Sequence, residues 1–385
     1  MNLRLGILTS HPIQYQAPLF RALASQCDLT VYFAQRQTPQ AQAAAGFGVN
    51  FDWDVDLLAG YSHEFLRNVA AKPDTGSFFG CDTPAVADEI DRGGFDAFII
   101  MGWHLKCFWQ AVRACHRHRV PVMVRGDSHL STQRSLIKKG VKSLVYPSLL
   151  RQFDGCLYVG TRNLEYLQYY DVPSERLFFA PHCVDTNAFA ASAALVDRES
   201  VRANWGLTRG ASALLFVGKM IPGKRVTDLI EAAGHLRTLG HKAFVVLAGD
   251  GPQRNELETQ SRGLNVPAVF LGFRNQTELA AIYRAADVLV LPSSSETWGL
   301  VVNEALACGT PCVVSEECGC ATDMVLQGKT GITFKSGDVA GLTNSLLRAL
   351  KIPRDSRAIA DHCARYSISA TAQGIASAAA VLRAK

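Results

Sequence analysis

No stretch of this sequence is long and apolar enough to cross a membrane, because none approaches the roughly 18 consecutive apolar residues of a spanning helix. Residues 1–9 are too few for a secretory signal with its apolar core and cleavage site, and they indicate a first β-strand. We therefore expect a cytoplasmic protein.

Charged side chains are also few, at 19% of the 385 residues, whereas 48% of the residues are hydrophobic. This balance excludes a disordered chain and indicates a globular one, long enough for two domains. The net charge of +5 is modest. It suits an anionic ligand or an anionic membrane surface, and we expect no nucleic-acid partner.

Strong metal-binding patterns are missing. Cys318 and Cys320 stand two apart, but no second pair or histidine cluster lies at zinc-finger spacing. Asp52 and Asp54 form an Asp-x-Asp pair that could hold a divalent ion, although the alternating apolar residues favour a half-exposed strand with solvent-facing acids. We expect reduced cysteines in the core, no metal and no cofactor.

Nucleotide-binding fingerprints are missing too, since no Gly-x-Gly-x-x-Gly or Walker lysine motif follows any predicted strand. Short apolar runs nevertheless alternate with amphipathic helical segments, which is typical of parallel α/β sheets. One such series fills the first half and a second begins near residue 213. We therefore predict an α/β fold with domains at residues 1–188 and 189–367.

The most informative stretch is residues 292–311. The apolar run Val288–Leu291 before it predicts a buried strand, and residues 300–308 have helical spacing. The loop between them lies where open α/β sheets bind their ligands.

Two glutamates frame this loop. Glu296 falls within it, and Glu304 lies about one turn into the helix. Gly299 and Leu300 begin the helix, where backbone N–H groups attract anions and a glycine lets a phosphate approach closely. Two carboxylates around an anion site fit the ribose, diphosphate and sugar of a nucleotide sugar. The alternative is a helix cap beside a solvated acid.

Polar residues follow other predicted strands. Lys219 and Lys224 flank a Pro-Gly turn and could converge on one anion, although loop lysines are usually solvated. In the first domain, His11 either faces a cleft or lies at a helix entry and bonds a neighbouring loop. Asp127 either reaches the reacting centre or caps a helix. These first-domain candidates are His11, Gln14, Arg125, Asp127 and His129.

Residues 134–153 form a basic amphipathic stretch that could lie on anionic lipid. Its lysines are Lys138, Lys139 and Lys142. A domain helix with a solvated basic face and a site for an acceptor phosphate are the alternatives. Gly140 and Pro147 are expected to interrupt the helix.

Four motifs of the second half resemble those of glycosyltransferase family 4. They are Gly218-Lys219-Met-Ile-Pro-Gly-Lys224, Ala248-Gly-Asp-Gly-Pro252, Phe270-Leu-Gly-Phe273, and Glu296-Thr-Trp-Gly-Leu-Val-Val-Asn-Glu304-Ala with Cys308-Gly-Thr-Pro311. The resemblance implies the GT-B architecture, in which two Rossmann-like domains face each other across a cleft. It also implies that a final helix, residues 368–385, rejoins the first domain.

The resemblance assigns roles in a donor site. It implies that Lys219 and Lys224 bind the donor diphosphate, that Glu304 binds the ribose hydroxyls and that Glu296 addresses the transferred sugar. The loop containing Phe273 and Arg274 matches the family's base-binding segment.

In the first domain, many family members place a histidine that contacts the donor sugar. Asp127 occupies the corresponding place here, and His129 lies two residues further on. Either residue is the candidate for that contact.

The resemblance implies a retaining, metal-independent transfer of a hexosyl group from a UDP- or GDP-sugar to a hydroxyl of a glycan or lipid-linked acceptor. A sugar-nucleotide epimerase and a disaccharide phosphorylase are the alternatives on the same fold. A nucleotide-sugar-binding scaffold without catalysis, associated with a membrane or not, is the alternative outside the enzymes.

Overall fold

The computed structural model describes residues 3–37, 52–131 and 136–384, with the backbone alone at 136–139. It separates into two compact units. The first contains the residues up to Gln37, Asp56–His182 and the C-terminal residues from Ile368, and the second contains residues 52–55 and Cys183–Ser367. The division therefore falls after His182, whereas the sequence places it after residue 188.

The first unit is built on a parallel sheet of seven strands in the described residues, in the order β3-β2-β1-β4-β5-β6-β7. The strands are β1 Arg4–Thr9, β2 Asp28–Phe33, β3 Ser62–Phe65, β4 Ala97–Ile100, β5 Val122–Gly126, β6 Gly155–Tyr158 and β7 Leu177–Phe179. The central strands are apolar and buried, as expected for a sheet covered on both faces. The strand order reverses between β1 and β4, so the loops after these two strands flank the natural ligand position of the sheet.

The helices of this unit are α1 Ala17–Ala24, α2 Val86–Gly93, α3 Lys106–His118, α4 Leu136–Leu150 and α5 Thr161–Tyr169. Apolar residues of α2, α3 and α5 form one core with the sheet, whereas α1 contributes to a second core. The two cores account for burial of the strands on both faces.

The second unit has a parallel sheet of six strands in the described chain, in the order β10-β9-β8-β11-β12-β13. The strands are β8 Ser212–Val217, β9 Ala243–Ala248, β10 Ala268–Gly272, β11 Val288–Leu291, β12 Cys312–Ser315 and β13 Gly331–Phe334. The helices are α6 Thr186–Ala194, α7 Arg198–Asn204, α8 Val226–Thr238, α9 Arg254–Gly263, α10 Gln276–Ala285, α11 Leu300–Ala307, α12 Ala321–Met324, α13 Val339–Ala349 and α14 Arg357–Ala364. The predicted α/β fold with two parallel sheets is confirmed.

The final helix, α15 Ile368–Arg383, packs in the first unit beside α1. Thr371 Oγ1 donates to the carbonyl of Pro181 at 2.8 Å. A Cβ on Gly374 would lie 2.1 Å from the carbonyl oxygen of Phe179, so the glycine lets this helix approach β7 closely. In the described part of the chain, no helix has the length and apolar character to span a bilayer.

Three local predictions were wrong. The strand expected at residues 52–57 is a loop, because Asp54 accepts hydrogen bonds from the backbone and hydroxyl of Thr277 at the start of α10. Helix α4 continues through Gly140 and Pro147, and its last turn is held by burial of Leu150 and by ring contacts of Tyr146.

The third correction concerns the loop after β5. Arg125 and Gly126 belong to the strand itself, pairing with Leu157 and Tyr158 of β6. The loop therefore begins at Asp127. Arg134 and the side chains of Lys138 and Lys139, which the basic-stretch prediction invoked, lie outside the described residues.

Candidate functional site

The loops after β8 and β11 meet where the order of the second sheet reverses. β8 pairs with β9 on one side and with β11 on the other. Ser294, in the loop after β11, donates its backbone N–H to the carbonyl of Gly223, in the loop after β8, at 2.9 Å, and its hydroxyl lies 3.2 Å from the same oxygen. The two segments that carry the predicted lysines and Glu296 are thus tied together.

The charged groups of these loops form a compact cluster. Lys224 makes an ion pair with Glu296, and their side chains are 20% and 18% exposed. Burial lowers the pKa of Lys219, and the positive charge of Lys224 lowers it further. Two ammonium groups that repel each other are therefore held beside one carboxylate, and a bound anion would relieve the repulsion.

The glycines in the first two motifs let neighbouring loops touch backbone to backbone. Gly218 has φ of +147°, and a Cβ on Gly249 would lie 1.9 Å from its carbonyl oxygen. A Cβ on Gly251 would lie 2.5 Å from the carbonyl oxygen of Met220. Larger residues at 249 and 251 would push apart the loops after β8 and β9, so these glycines position Lys219 through packing.

Gly299 is required for two reasons. Its φ of +105° is in the left-handed region, and a Cβ there would lie 2.7 Å from the side chain of Leu291. The glycine allows the chain to turn directly into α11, whose first N–H groups start at Leu300. Trp298 fixes this turn from the other side by donating its indole N–H to Asn303 at 2.9 Å.

The Cys318-Gly-Cys320 sequence packs against the same loop. A Cβ on Gly319 would lie 1.8 Å from the carbonyl oxygen of Thr297, and Cys320 donates its N–H to the carbonyl of Trp298 at 3.0 Å. The spacing of the two cysteines thus follows from close backbone packing. All eleven cysteines are buried.

Glu304 lies inside the unit, on α11, with 9% of its surface exposed. Tyr283 of α10 donates its hydroxyl proton to Glu304 Oε2 at 2.6 Å. Burial raises the pKa of Glu304 to about 7, and the hydrogen bond from Tyr283 opposes part of that rise. The carboxyl is thus held in one position and changes charge near neutral pH.

Phe273 and Arg274 follow β10, the edge strand two places from β8, which corresponds to roughly 10 Å at the usual strand spacing. Arg274 is held by Glu278 at 2.8 Å and by the carbonyl of Leu271 at 3.1 Å. The predicted base-binding segment therefore lies on the same sheet edge as the charged cluster, within the span of a nucleotide.

The first unit has a cavity of about 570 Å³ at the end of its sheet. The wall comes from the loops after β1 and β4, from the end of β5 and the loop after it, from α3 and α4, and from residues near 78, 159 and 182. Arg125 and Asp127, two of the candidates from the sequence, are among the lining residues. His11, Gln14 and His129 are not among the lining residues: His11 pairs with Ser10 at 2.9 Å, and His129 is buried.

His182 is one of the cavity residues that the sequence did not predict. It is buried, its Nε2 lies 3.8 Å from Asp127 Oδ2, and its ring meets the ring of Tyr15 edge to face. Burial lowers the pKa of His182, whereas Asp127 opposes the shift. Nothing in the sequence spacing connected His182 with Asp127.

Arg125 shapes the same end of the cavity. Its guanidinium donates to the carbonyl oxygens of Pro181 at 2.8 Å and Ala180 at 3.4 Å. These bonds hold the segment that carries His182 against β5. The cavity thus depends on contacts between residues more than 50 positions apart.

The charged cluster lies within a region that matches a known protein family. Residues 197–367 match the family model described as "Glycosyl transferases group 1". This domain contains the loops after β8, β10 and β11. The first unit's cavity lies outside the matched residues.

Curated relatives match over part of the chain. D-inositol 3-phosphate glycosyltransferase of Stackebrandtia nassauensis is 32% identical over 221 residues, 54% of this chain and 49% of that protein. Glycogen synthase of Mycobacterium tuberculosis is 38% identical over 146 residues, 37% of this chain and 35% of that protein. The matched part thus spans about half or less of the length of these relatives.

Solved structures match over the whole chain. The structure of Anabaena HepE in complex with UDP has a TM-score of 0.73 at 17% identity, covering 98% of this chain and 100% of that one. A glycosyltransferase from Rickettsia africae has a TM-score of 0.74 at 11% identity, covering 99% of both chains. The chain has the GT-B fold.

Proposed function

We propose that this protein is a retaining, metal-independent glycosyltransferase of family 4 that moves a hexosyl group from a UDP- or GDP-sugar to a hydroxyl of a glycan or lipid-linked acceptor. The observation that carries the proposal is the ion pair of Lys224 with Glu296, beside Lys219, at the reversal point of the second sheet. A diphosphate and a sugar are the two parts of one donor that this cluster suits.

The diphosphate is the leaving group, and the cluster stabilises its charge. When the bond from the sugar C1 to the phosphate oxygen breaks, negative charge develops on the diphosphate. Lys219, Lys224 and the N–H groups at the start of α11 neutralise that charge without a metal ion. The acceptor oxygen bonds to C1 on the face that the diphosphate leaves, and its proton passes to the departing phosphate.

Glu296 and Glu304 orient the rest of the donor. Glu304 accepts hydrogen bonds from the ribose hydroxyls, and its ionised form, present above about pH 7, is the better acceptor. Glu296 holds the transferred sugar and favours its cationic transition state, with no covalent bond to the protein required.

UDP-glucose is the donor to test first. Structures of HepE are described in complex with UDP and with UDP-glucose, and the latter has a TM-score of 0.69 against this chain. In the first unit, Asp127 is the candidate for contact with the donor sugar or the acceptor.

The decisive experiment is to incubate the protein with UDP- and GDP-sugars and a panel of acceptors in the presence of EDTA. The proposal expects nucleotide release that depends on acceptor and a product that keeps the donor's anomeric configuration by NMR. An inverted product, or a strict need for a divalent ion, would contradict it. A changed nucleotide sugar without acceptor would indicate an epimerase, dependence on phosphate a phosphorylase, and binding without turnover a scaffold.

The face of α4 supports a second part of the proposal, a peripheral position on the inner face of the membrane. Val141, Leu144 and Val145 are 57%, 82% and 50% exposed, three apolar side chains on one turn of a helix that also carries Lys142. Such a face can enter the lipid interface. Sedimentation with anionic vesicles should pull down the wild type and not Leu144→Asp, whereas equal sedimentation of both would exclude this contact.

A further inference from the structure

The cavity of the first unit is lined by both aromatic and polar side chains. Its aromatic side chains are Tyr15, Phe78, Trp103, Trp109 and Tyr146. Gln16, Asp127, Ser128 and His182 supply hydrogen-bonding groups. A sugar ring presents C–H groups on its faces and hydroxyls around its edge, so a wall of this kind suits a sugar and its volume of about 570 Å³ is ample for one or two rings.

Lys142 is a cation of this cavity that has no acidic partner among the described residues. It is half-buried on α4, its Nζ lies 4.3 Å from the centre of the Tyr146 ring, and it lies 3.4 Å from the hydroxyl of Tyr166. No carboxylate of the described residues lies within ion-pair distance of it, and the residues outside the description contain no aspartate or glutamate side chain.

The tyrosine rings replace only part of the hydration free energy that the half-buried Lys142 ammonium loses. A cation over a tyrosine ring gains modest electrostatic energy, whereas a charge-assisted hydrogen bond to an anion is stronger and directional. By contrast, Arg125 is engaged by the carbonyls of Ala180 and Pro181. Arg125 is thus already held by backbone carbonyls, whereas the contacts of Lys142 with tyrosine rings leave its ammonium available to an anionic ligand.

We propose that this cavity binds an anionic saccharide as the acceptor, with a sugar ring against the aromatic wall and a phosphate or carboxylate group paired with Lys142. The acceptor role rests on the proposed function, whereas the binding of an anionic saccharide does not. It narrows the acceptor class from any glycan to one that carries a negative charge close to the sugar that is extended.

Binding tests the inference without turnover. Glucose 6-phosphate, glucuronic acid, glucose and inorganic phosphate would be titrated into the wild type, Lys142→Met and Lys142→Arg by calorimetry or saturation-transfer NMR. We expect the two anionic sugars to bind more tightly than glucose and phosphate. Lys142→Met should lower the affinity for both anionic sugars by about tenfold or more and leave the affinity for glucose unchanged. Lys142→Arg should restore most of the preference for anionic sugars.

Two controls separate this inference from the proposed function. Lys242→Met removes an exposed lysine of the second unit and should change no sugar's affinity. UDP binding to Lys142→Met should equal that of the wild type, which shows that the second unit is intact. Failure of turnover in the wild type with every UDP- and GDP-sugar tested would count against the proposed function and leave the sugar-binding result standing.

Several outcomes would overturn the inference. They are equal affinity for glucose and glucose 6-phosphate, a preference that survives in Lys142→Met, phosphate binding as tight as sugar phosphate binding, and no binding of either anionic sugar.

Discussion

The charged cluster of the second unit and the cavity of the first occupy the same place in their sheets, yet they are built differently. The cluster is made from short loops in which glycines let backbones touch, as at Gly218 and Gly249. The cavity is walled by side chains from many separate parts of the chain, and its residues Asp127 and His182, 3.8 Å apart, are 55 positions apart in the sequence. The backbone contacts of the charged cluster therefore require glycines at fixed spacing in the sequence, whereas the side chains of the cavity require no such spacing.

The family model covers one of these two regions and not the other. The matched domain, residues 197–367, contains the whole charged cluster and none of the cavity. Backbone contacts tolerate few residue types, whereas side chains around a cavity can be replaced in sets. We therefore expect single substitutions in the charged cluster to have larger effects than single substitutions in the cavity. Three variants test this expectation.

The largest effect is expected from Glu296→Ala. Removing the carboxylate takes away its hold on the transferred sugar, and transfer should slow by about 100-fold or more. UDP should bind as well as before or better, because Lys224 loses its ion-pair partner and is free for phosphate. Turnover and UDP affinity would be measured side by side.

Glu231→Ala, which removes an exposed glutamate of α8, is the matched control and should behave as the wild type. Full activity of Glu296→Ala would end the assignment. A parallel loss of UDP binding and turnover would show that the residue serves the structure of the loop.

An intermediate effect is expected from Glu304→Gln, and it depends on pH. The pKa of Glu304 in the ligand-free protein is about 7, above its ordinary value of 4.5, so the folded state holds a proton that the unfolded state releases between these values. Stability from this group is therefore complete below about pH 4.5 and is lost as pH rises through 7. The neutral glutamine avoids that loss.

Denaturant unfolding at pH 5 and pH 8 checks this. At pH 8, the free energy of unfolding of Glu304→Gln should exceed that of the wild type by about 3 kcal/mol at most. At pH 5 the difference should be small. The same variant should bind UDP more weakly at pH 8, since it lacks the ionised acceptor for ribose. A stability difference independent of pH would show that burial does not control this carboxyl.

The smallest effect on the donor site is expected from Asp127→Asn. Transfer should slow by about tenfold, since the cavity loses a charged hydrogen-bond acceptor beside His182, while UDP affinity should stay within about twofold. Asp171→Asn, an exposed change in the same unit, serves as the control. A large drop in UDP affinity for Asp127→Asn would break the separation between the two regions.

Local sequence predicted most of the elements correctly. The strand β11 has the predicted bounds, and the helix after it begins at Leu300 as expected. The failures fell where a distant partner decides the outcome. Residues 52–57 alternate like a strand, yet Asp54 bonds to Thr277, 223 residues away.

The sequence by itself determined two parallel α/β sheets and the loops that carry Lys219, Lys224 and Glu296, because strand, turn and helix preferences act over short distances and glycine spacing records close backbone contact. Only the tertiary structure decided that Tyr283 holds Glu304, that His182 meets Asp127 and that Lys142 lines a cavity. Parallel strands bring segments together through long crossovers, so these contacts join residues whose distance along the chain carries no signal.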